Sequence, residues 1–145
     1  MSLLDDLTSQ DPQRIRRASG AIRDLRDRPQ LLALAAHIDA IRHSTADVEL
    51  GGMLRPNRSH LDFALRKLAL VAQSDACLCG CYPLDDLYSP NEEARDGHIE
   101  ITAMEKVNGN WFEDYLCRCT HCGQRFRVEE QEYHYMWWRW LPQQA

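Results

Sequence analysis

The chain has 145 residues, 44% of them apolar, and a net charge of −5. That length suits one domain or two small ones sharing an interface, and the apolar fraction excludes a largely disordered chain. The charge is uneven: residues 1–74 carry 11 Lys and Arg against 9 Asp and Glu, net +2, and residues 75–145 carry 6 against 13, net −7.

The N-terminus, MSLLDDLTSQ, is acidic and lacks the basic segment and apolar run of a signal peptide. No apolar stretch approaches the roughly 20 residues that span a bilayer. A cytoplasmic location is therefore expected, and in a reducing cytosol clustered cysteines favour metal over disulfides.

Asp11-Pro12 opens the first strong helix. Asp11 suits the N-cap, and Pro12 suits the first helical position, where its missing N–H costs nothing. Ile15, Ala18, Ile22 and Leu25 follow at helical spacing and form one apolar stripe. Arg28-Pro29 ends this helix and starts the next, over 30–42, whose stripe is Leu31, Leu34, Ala35, Ile38 and Ile41. Residues 47–55, with Gly51 and Gly52, read as a loop. Asn57 or Ser59 can cap a third helix over 59–72, with Leu61, Ala64, Leu65, Leu68 and Ala72 on one face and Phe63 and Leu70 on another. A helix apolar on more than one side is packed between neighbours. His37, His43 and His60 read as surface or capping residues.

The helix at residues 11–25 resembles the first helix of a HEAT repeat at Asp11, Pro12, Ile15, Arg16, Ala18, Ile22 and Leu25. The 30–42 helix fits the second member of such a pair, and 59–72 could begin another. A solenoid needs about three repeats to close its core. The resemblance therefore implies a HEAT-like bundle, and through it a protein-binding platform.

No cysteine occurs in residues 1–76, and all six fall in two clusters, Cys77-Leu78-Cys79-Gly80-Cys81 and Cys117-Arg118-Cys119-Thr120-His121-Cys122. Thiolates paired on short turns are how a chain assembles a tetrahedral zinc site. Cys119-Thr120-His121-Cys122-Gly123 is a CxxCG turn, in which Gly123 can take positive φ and leave its N–H facing a sulfur. The expected ligands are Cys77, Cys79, Cys119 and Cys122, with Cys81 and Cys117 as alternates. Four thiolates leave no open position, so such a zinc is structural. His121 inside the turn could hydrogen-bond near the sulfurs or substitute as a ligand.

Between the clusters, Ile99, Ile101, Ala103 and Val107 alternate, which predicts a strand over 98–107. Asn108-Gly109 signals a hairpin turn, Trp111–Cys119 returns, and Arg125–Glu129 makes a third strand with Phe126 and Val128 on one side. Two cysteine turns on a three-stranded antiparallel sheet resemble a zinc ribbon over residues 77–130. The tail, residues 133–142, is densely aromatic, and such residues fill a core or form a binding hot spot; core is expected for two of its three tryptophans. His134 among them reads as a packed polar tip. The fold class is thus α+β: a HEAT-like helical bundle over residues 1–74, packed on a zinc-ribbon-like sheet over residues 75–145.

Three functional readings follow. The first is a non-catalytic protein-binding protein with structural zinc, similar to small bacterial proteins of the toxin-immunity type, which implies a basic toxin as partner. Its acidic half would steer that partner through Asp85, Asp86, Glu92, Glu93, Glu129, Glu130 and Glu132. The plainer reading of each carboxylate is a solvated surface charge. The second is a nucleic-acid-binding zinc ribbon, or a regulatory adaptor, using Arg118, Arg125 and Arg127. A charge of −7 opposes phosphate binding. The third is a zinc-dependent deaminase, because His98-Ile99-Glu100 followed by Cys119 and Cys122 resembles the H-x-E … P-C-x-x-C signature. Arg118 stands where that signature has proline, His98 lies in a strand pattern, and the first cluster is left unused.

Overall fold

The computed structural model describes residues 2–107 and 109–144, without the side chain of Tyr133. Helices and a four-stranded antiparallel sheet make the protein α+β. Among the described residues, no helix is long and apolar enough to cross a membrane. The chain divides into two units, Met1–Leu78 and Cys79–Ala145.

The first unit opens with α1 (Leu3–Leu7), where Ser2 and Asp5 form a reciprocal capping box. Five residues are too few to reveal a period, and this helix escaped sequence reading. Helix α2 (Pro12–Asp24) begins as expected, with the Asp11 carboxylate accepting the Gln13 N–H at 2.9 Å. The helix expected over 30–42 is two helices, α3 (Arg28–Ala35) and α4 (Ile38–Thr45). Asp27 caps α3. At its far end the His37 N–H bonds back to the Leu34 carbonyl at 2.9 Å, which tightens the last turn and redirects the chain. The loop before α5 turns at Gly52, where φ is +111° and a Cβ would lie 2.3 Å from the Arg55 carbonyl oxygen, so only glycine fits.

Helix α5 (Arg58–Gln73) is the central element of this unit. Asn57 occupies its N-cap position without bonding the helix, since its side-chain amide donates to the Leu50 carbonyl at 2.9 Å. Leu61, Ala64, Leu65, Leu68 and Val71 bury against Leu7, Ile15, Ile22, Leu31 and Ile41, whereas Ala72 is exposed. His60 is also buried, against the surface role expected of it. Lys67 is 1% exposed, and its ammonium donates to the carbonyls of Ile22, Arg23 and Leu25 at 2.8–2.9 Å. These carbonyls lie at the C-terminal end of α2, where backbone donors run out and positive charge is attracted; the Ile22 carbonyl also takes the Leu25 N–H at 3.2 Å. Arg28 holds the end of the unit in the same manner, donating to the carbonyls of Ser74 and Ala76 just ahead of Cys77.

The second unit contains most of a 3-10 helix (Leu78–Leu84), then α6 (Pro90–Arg95) and strands β1 (Ile99–Lys106), β2 (Glu113–Cys119), β3 (Arg125–Tyr133) and β4 (Tyr135–Gln143). The sheet order is β1-β2-β3-β4. The fourth strand corrects the three-stranded expectation: the aromatic tail is a strand. The β1–β2 turn expected at Asn108-Gly109 falls partly on Asn108, which lies outside the described residues; Gly109 has φ +87°. The β3–β4 hairpin turns at His134, which is exposed at φ +67° and is not a packed tip. Pro142 is tolerated in β4 because that strand is an edge.

Strand alternation sorts this sheet into two faces. One face carries Tyr115, Cys117 and Cys119 on β2, Phe126 and Val128 on β3 and Trp140 on β4, all buried. Trp140 stacks on Tyr82 at 4.1 Å between centroids, meets Phe126 edge-on at 5.4 Å, and donates its indole N–H to the Tyr88 carbonyl at 2.9 Å. Of the three tail tryptophans only Trp140 is buried, while Trp137 and Trp138 are half-buried. The other face carries ion pairs: Arg118–Glu100 at 2.6 Å, Arg127 with Glu105 at 2.8 Å and Asp114 at 2.9 Å, and Arg139–Glu129 at 2.6 Å.

Candidate metal centre

The two cysteine turns supply the donors. Cys77 and Cys79 flank Leu78 at the start of the 3-10 helix, and Cys119 ends β2. Past Cys119 the chain turns sharply, because the Gly123 N–H bonds to the Cys119 carbonyl at 2.9 Å and Gly123 takes φ +81°. The glycine's role is thus the turn itself. The N–H expected from Gly123 toward sulfur comes instead from His121, which donates to Cys119 Sγ at 3.4 Å. Thr120 fastens the turn from outside: its hydroxyl donates to the carbonyls of Gly97 and His98 at 2.7 and 3.0 Å, and its N–H to the His98 carbonyl at 3.1 Å.

These turns bring Cys77, Cys79, Cys119 and Cys122 together, with all four sulfurs within 4.8 Å of one another. Cys79 and Cys122 are 3.5 Å apart. A tetrahedral zinc ion with metal–sulfur bonds of about 2.3 Å needs sulfurs about 3.8 Å apart. The cluster fits such an ion with small adjustments, and its donor set is soft sulfur throughout. Cys79 and Cys119 are buried, Cys77 is half-buried and Cys122 is exposed.

The alternates, Cys81 and Cys117, stand outside the cluster and are 1% and 2% exposed. Cys117 lies opposite Phe126 in the sheet, and burial pushes its thiol up to about 12. A ligand must be a thiolate, so Cys117 is suited to packing. Cys81 likewise lies in the interior, beside Tyr82 in the chain.

The seven acidic residues expected to meet a partner are spread over three segments. Asp85 is buried, with its carboxylate accepting the Asp86 N–H at 2.8 Å, and is no surface contact. The Asp86 carbonyl takes the Trp138 N–H at 2.9 Å. Glu92 and Glu93 lie in the first turn of α6, Glu92 exposed and Glu93 half-buried. On β3, Glu129 pairs with Arg139, and Glu130 accepts from the Trp138 indole at 3.2 Å and the Tyr115 hydroxyl at 3.4 Å. Burial, and then the nearby Glu130 carboxylate, raise the Tyr115 phenol above its ordinary value. Glu132 is exposed.

The residues of the other two readings also have positions. His98 is not among the four clustered donors, and Glu100 is ion-paired to Arg118. Arg118 lies opposite Arg125 and Leu116 opposite Arg127, which places the three arginines on one face, with Phe126 on the other. Hydrogen bonds to Glu105, and then to Asp114, raise the Arg127 guanidinium further above its ordinary value. Comparison with protein-family models, curated proteins and solved structures gives no match for this chain.

Proposed function

We propose that this chain is a non-catalytic protein-binding protein in which a structural zinc closes the cysteine turns, and that its partner is a basic protein. Neutralisation of a bacterial toxin is the form of that role we favour. The observation that carries the reading is the four-sulfur cluster within 4.8 Å. Four thiolates complete a tetrahedral shell and leave no position for substrate, so the ion would hold the turns and supply no Lewis-acid chemistry. The resemblance of the helices to a HEAT pair adds a platform of the kind that binds proteins, and −7 over residues 75–145 favours a basic partner.

A protein partner is preferred to a nucleic acid because Arg118 and Arg127, two of the three arginines of that reading, are matched by carboxylates on the same sheet face; the third, Arg125, is exposed. A cation already paired in this way releases few counterions from phosphate.

Two measurements test the proposal. Elemental analysis of protein purified without added zinc should give one zinc per chain, with all six thiols titrating once denaturant and a chelator release the ion. Immobilised protein should then retain from its source lysate a basic protein that elutes as salt rises. Absence of bound metal would overturn the structural zinc, and retention of nucleic acid in place of protein would overturn the partner.

A further inference from the structure

The turn that carries two of the clustered cysteines also places His121 against His98. His98 Nδ1 and His121 Nε2 lie 3.3 Å apart, with ring centroids at 5.6 Å and planes tilted by 38°. His98 is half-buried and His121 exposed, so solvent reaches the pair. The segments that bear them are fastened together by the Thr120 hydroxyl and N–H, which bond the carbonyls of Gly97 and His98. The Ile99–Cys119 register of β1 and β2 holds the base of the same arrangement. The two rings are therefore positioned by backbone contacts as well as by their own contact.

We infer that His98 and His121 form a second, open metal site that takes a late first-row divalent ion through His98 Nδ1 and His121 Nε2. Two imidazole nitrogens on one tetrahedral ion, each bonded at about 2.0–2.1 Å, stand about 3.3–3.4 Å apart. The observed spacing is that bite. Imidazole nitrogen suits zinc, nickel and copper and is a poor ligand for calcium or magnesium. Without metal, one of the two nitrogens donates a proton to the other. With metal, both offer lone pairs, and the remaining protons sit on His98 Nε2 and His121 Nδ1. Among the described residues only these two nitrogens are placed to reach the ion, so water or a ligand from another molecule completes it. The site differs in kind from the thiolate cluster: it is solvent-facing, nitrogen-based, weaker and exchangeable. The inference rests on the geometry of the 119–123 turn and not on which ion the thiolates hold.

The test is a titration of the full-length, metal-loaded protein with nickel(II), followed through the histidine ring resonances. The expected result is uptake of one nickel per chain, with paramagnetic broadening confined to His98 and His121. A chromophoric chelator should show no release of the ion already held by the thiolates. His98→Asn and His121→Asn should each weaken nickel binding at least about tenfold, since even an outer-shell change costs a metal site that much; His43→Asn serves as control and should not. Broadening of other histidines, binding that survives both substitutions, or uptake only with ejection of the first ion would overturn the site. If either variant fails to fold, the broadening pattern in the unaltered protein decides.

Discussion

The two units are held by different means. In residues 1–78 the core is aliphatic and continuous, with Leu7, Ile15, Ile22, Leu31, Ile41, Leu61 and Leu68 each at most 1% exposed. In residues 79–145 a few large rings, Tyr82, Phe126 and Trp140, pack together, and three of the four clustered cysteines, Cys79, Cys119 and Cys122, lie in the same stretch. Small domains that cannot bury enough apolar surface add a metal or a disulfide. The contrast shows why the cysteines gather where they do: the aliphatic unit has none before residue 77.

The largest break in this contrast should come from the metal. Structural zinc in small modules is worth about 10–16 kcal/mol, most of it folding energy. Cys119→Ser, or a strong chelator, should abolish the near-ultraviolet circular dichroism of the Tyr82–Trp140 stack while the helical far-ultraviolet signal persists. Loss of both signals together would show that the helices depend on the ion as well.

Trp140→Ala comes next, at about 3–5 kcal/mol by denaturant unfolding, because it empties a fully buried ring site and removes the indole donor to the Tyr88 carbonyl. Trp111, 92% exposed, is its control, and Trp111→Ala should shift stability by less than about 0.5 kcal/mol. Lys67→Met probes the other unit. It removes the donor to three carbonyls and should cost about 1–3 kcal/mol. A neutral result would mean that water serves those carbonyls equally well. Gly123→Ala should cost about 1 kcal/mol of the metal-bound state, from backbone conformation alone, since a Cβ there meets nothing within 4 Å.

The last effect, absent at neutral pH, belongs to Cys117. Its thiol keeps its proton to about 12 in the folded protein against an ordinary 9.0. The stability this contributes is complete below pH 9 and is lost as pH rises from there toward 12, because the unfolded chain releases the proton first. Alkaline unfolding curves of Cys117→Val should be flatter over that interval. Equal slopes would show that the thiol does not titrate with unfolding.

Local signals made part of this legible in sequence. Asp11-Pro12 and the Ile15, Ala18, Ile22 stripe define α2 without help from distant residues, and the short spacing inside each cysteine turn pointed to the four thiols that lie within 4.8 Å of one another. The break at Ala36-His37 was hidden because Leu34, Ala35 and Ala36 are all compatible with a continuing helix. Strand β4 was hidden because Trp137 and Trp138 interrupt alternation, and its pairing with β3 supplies what pattern does not. The burial of Asp85 and the meeting of His98 with His121 depend on contacts and register, which no single segment encodes.

The simple order of the sheet has a kinetic consequence. Each strand pairs with its neighbour in sequence, so the meander can zip from any hairpin without first closing a long loop, and low contact order of this kind favours fast folding. Cys77 and Cys79, by contrast, must find Cys119 and Cys122 about forty residues away. That closure is best made after the strands between them have paired and shortened the search. Metal capture would then be a late step in folding, one that locks a sheet already formed.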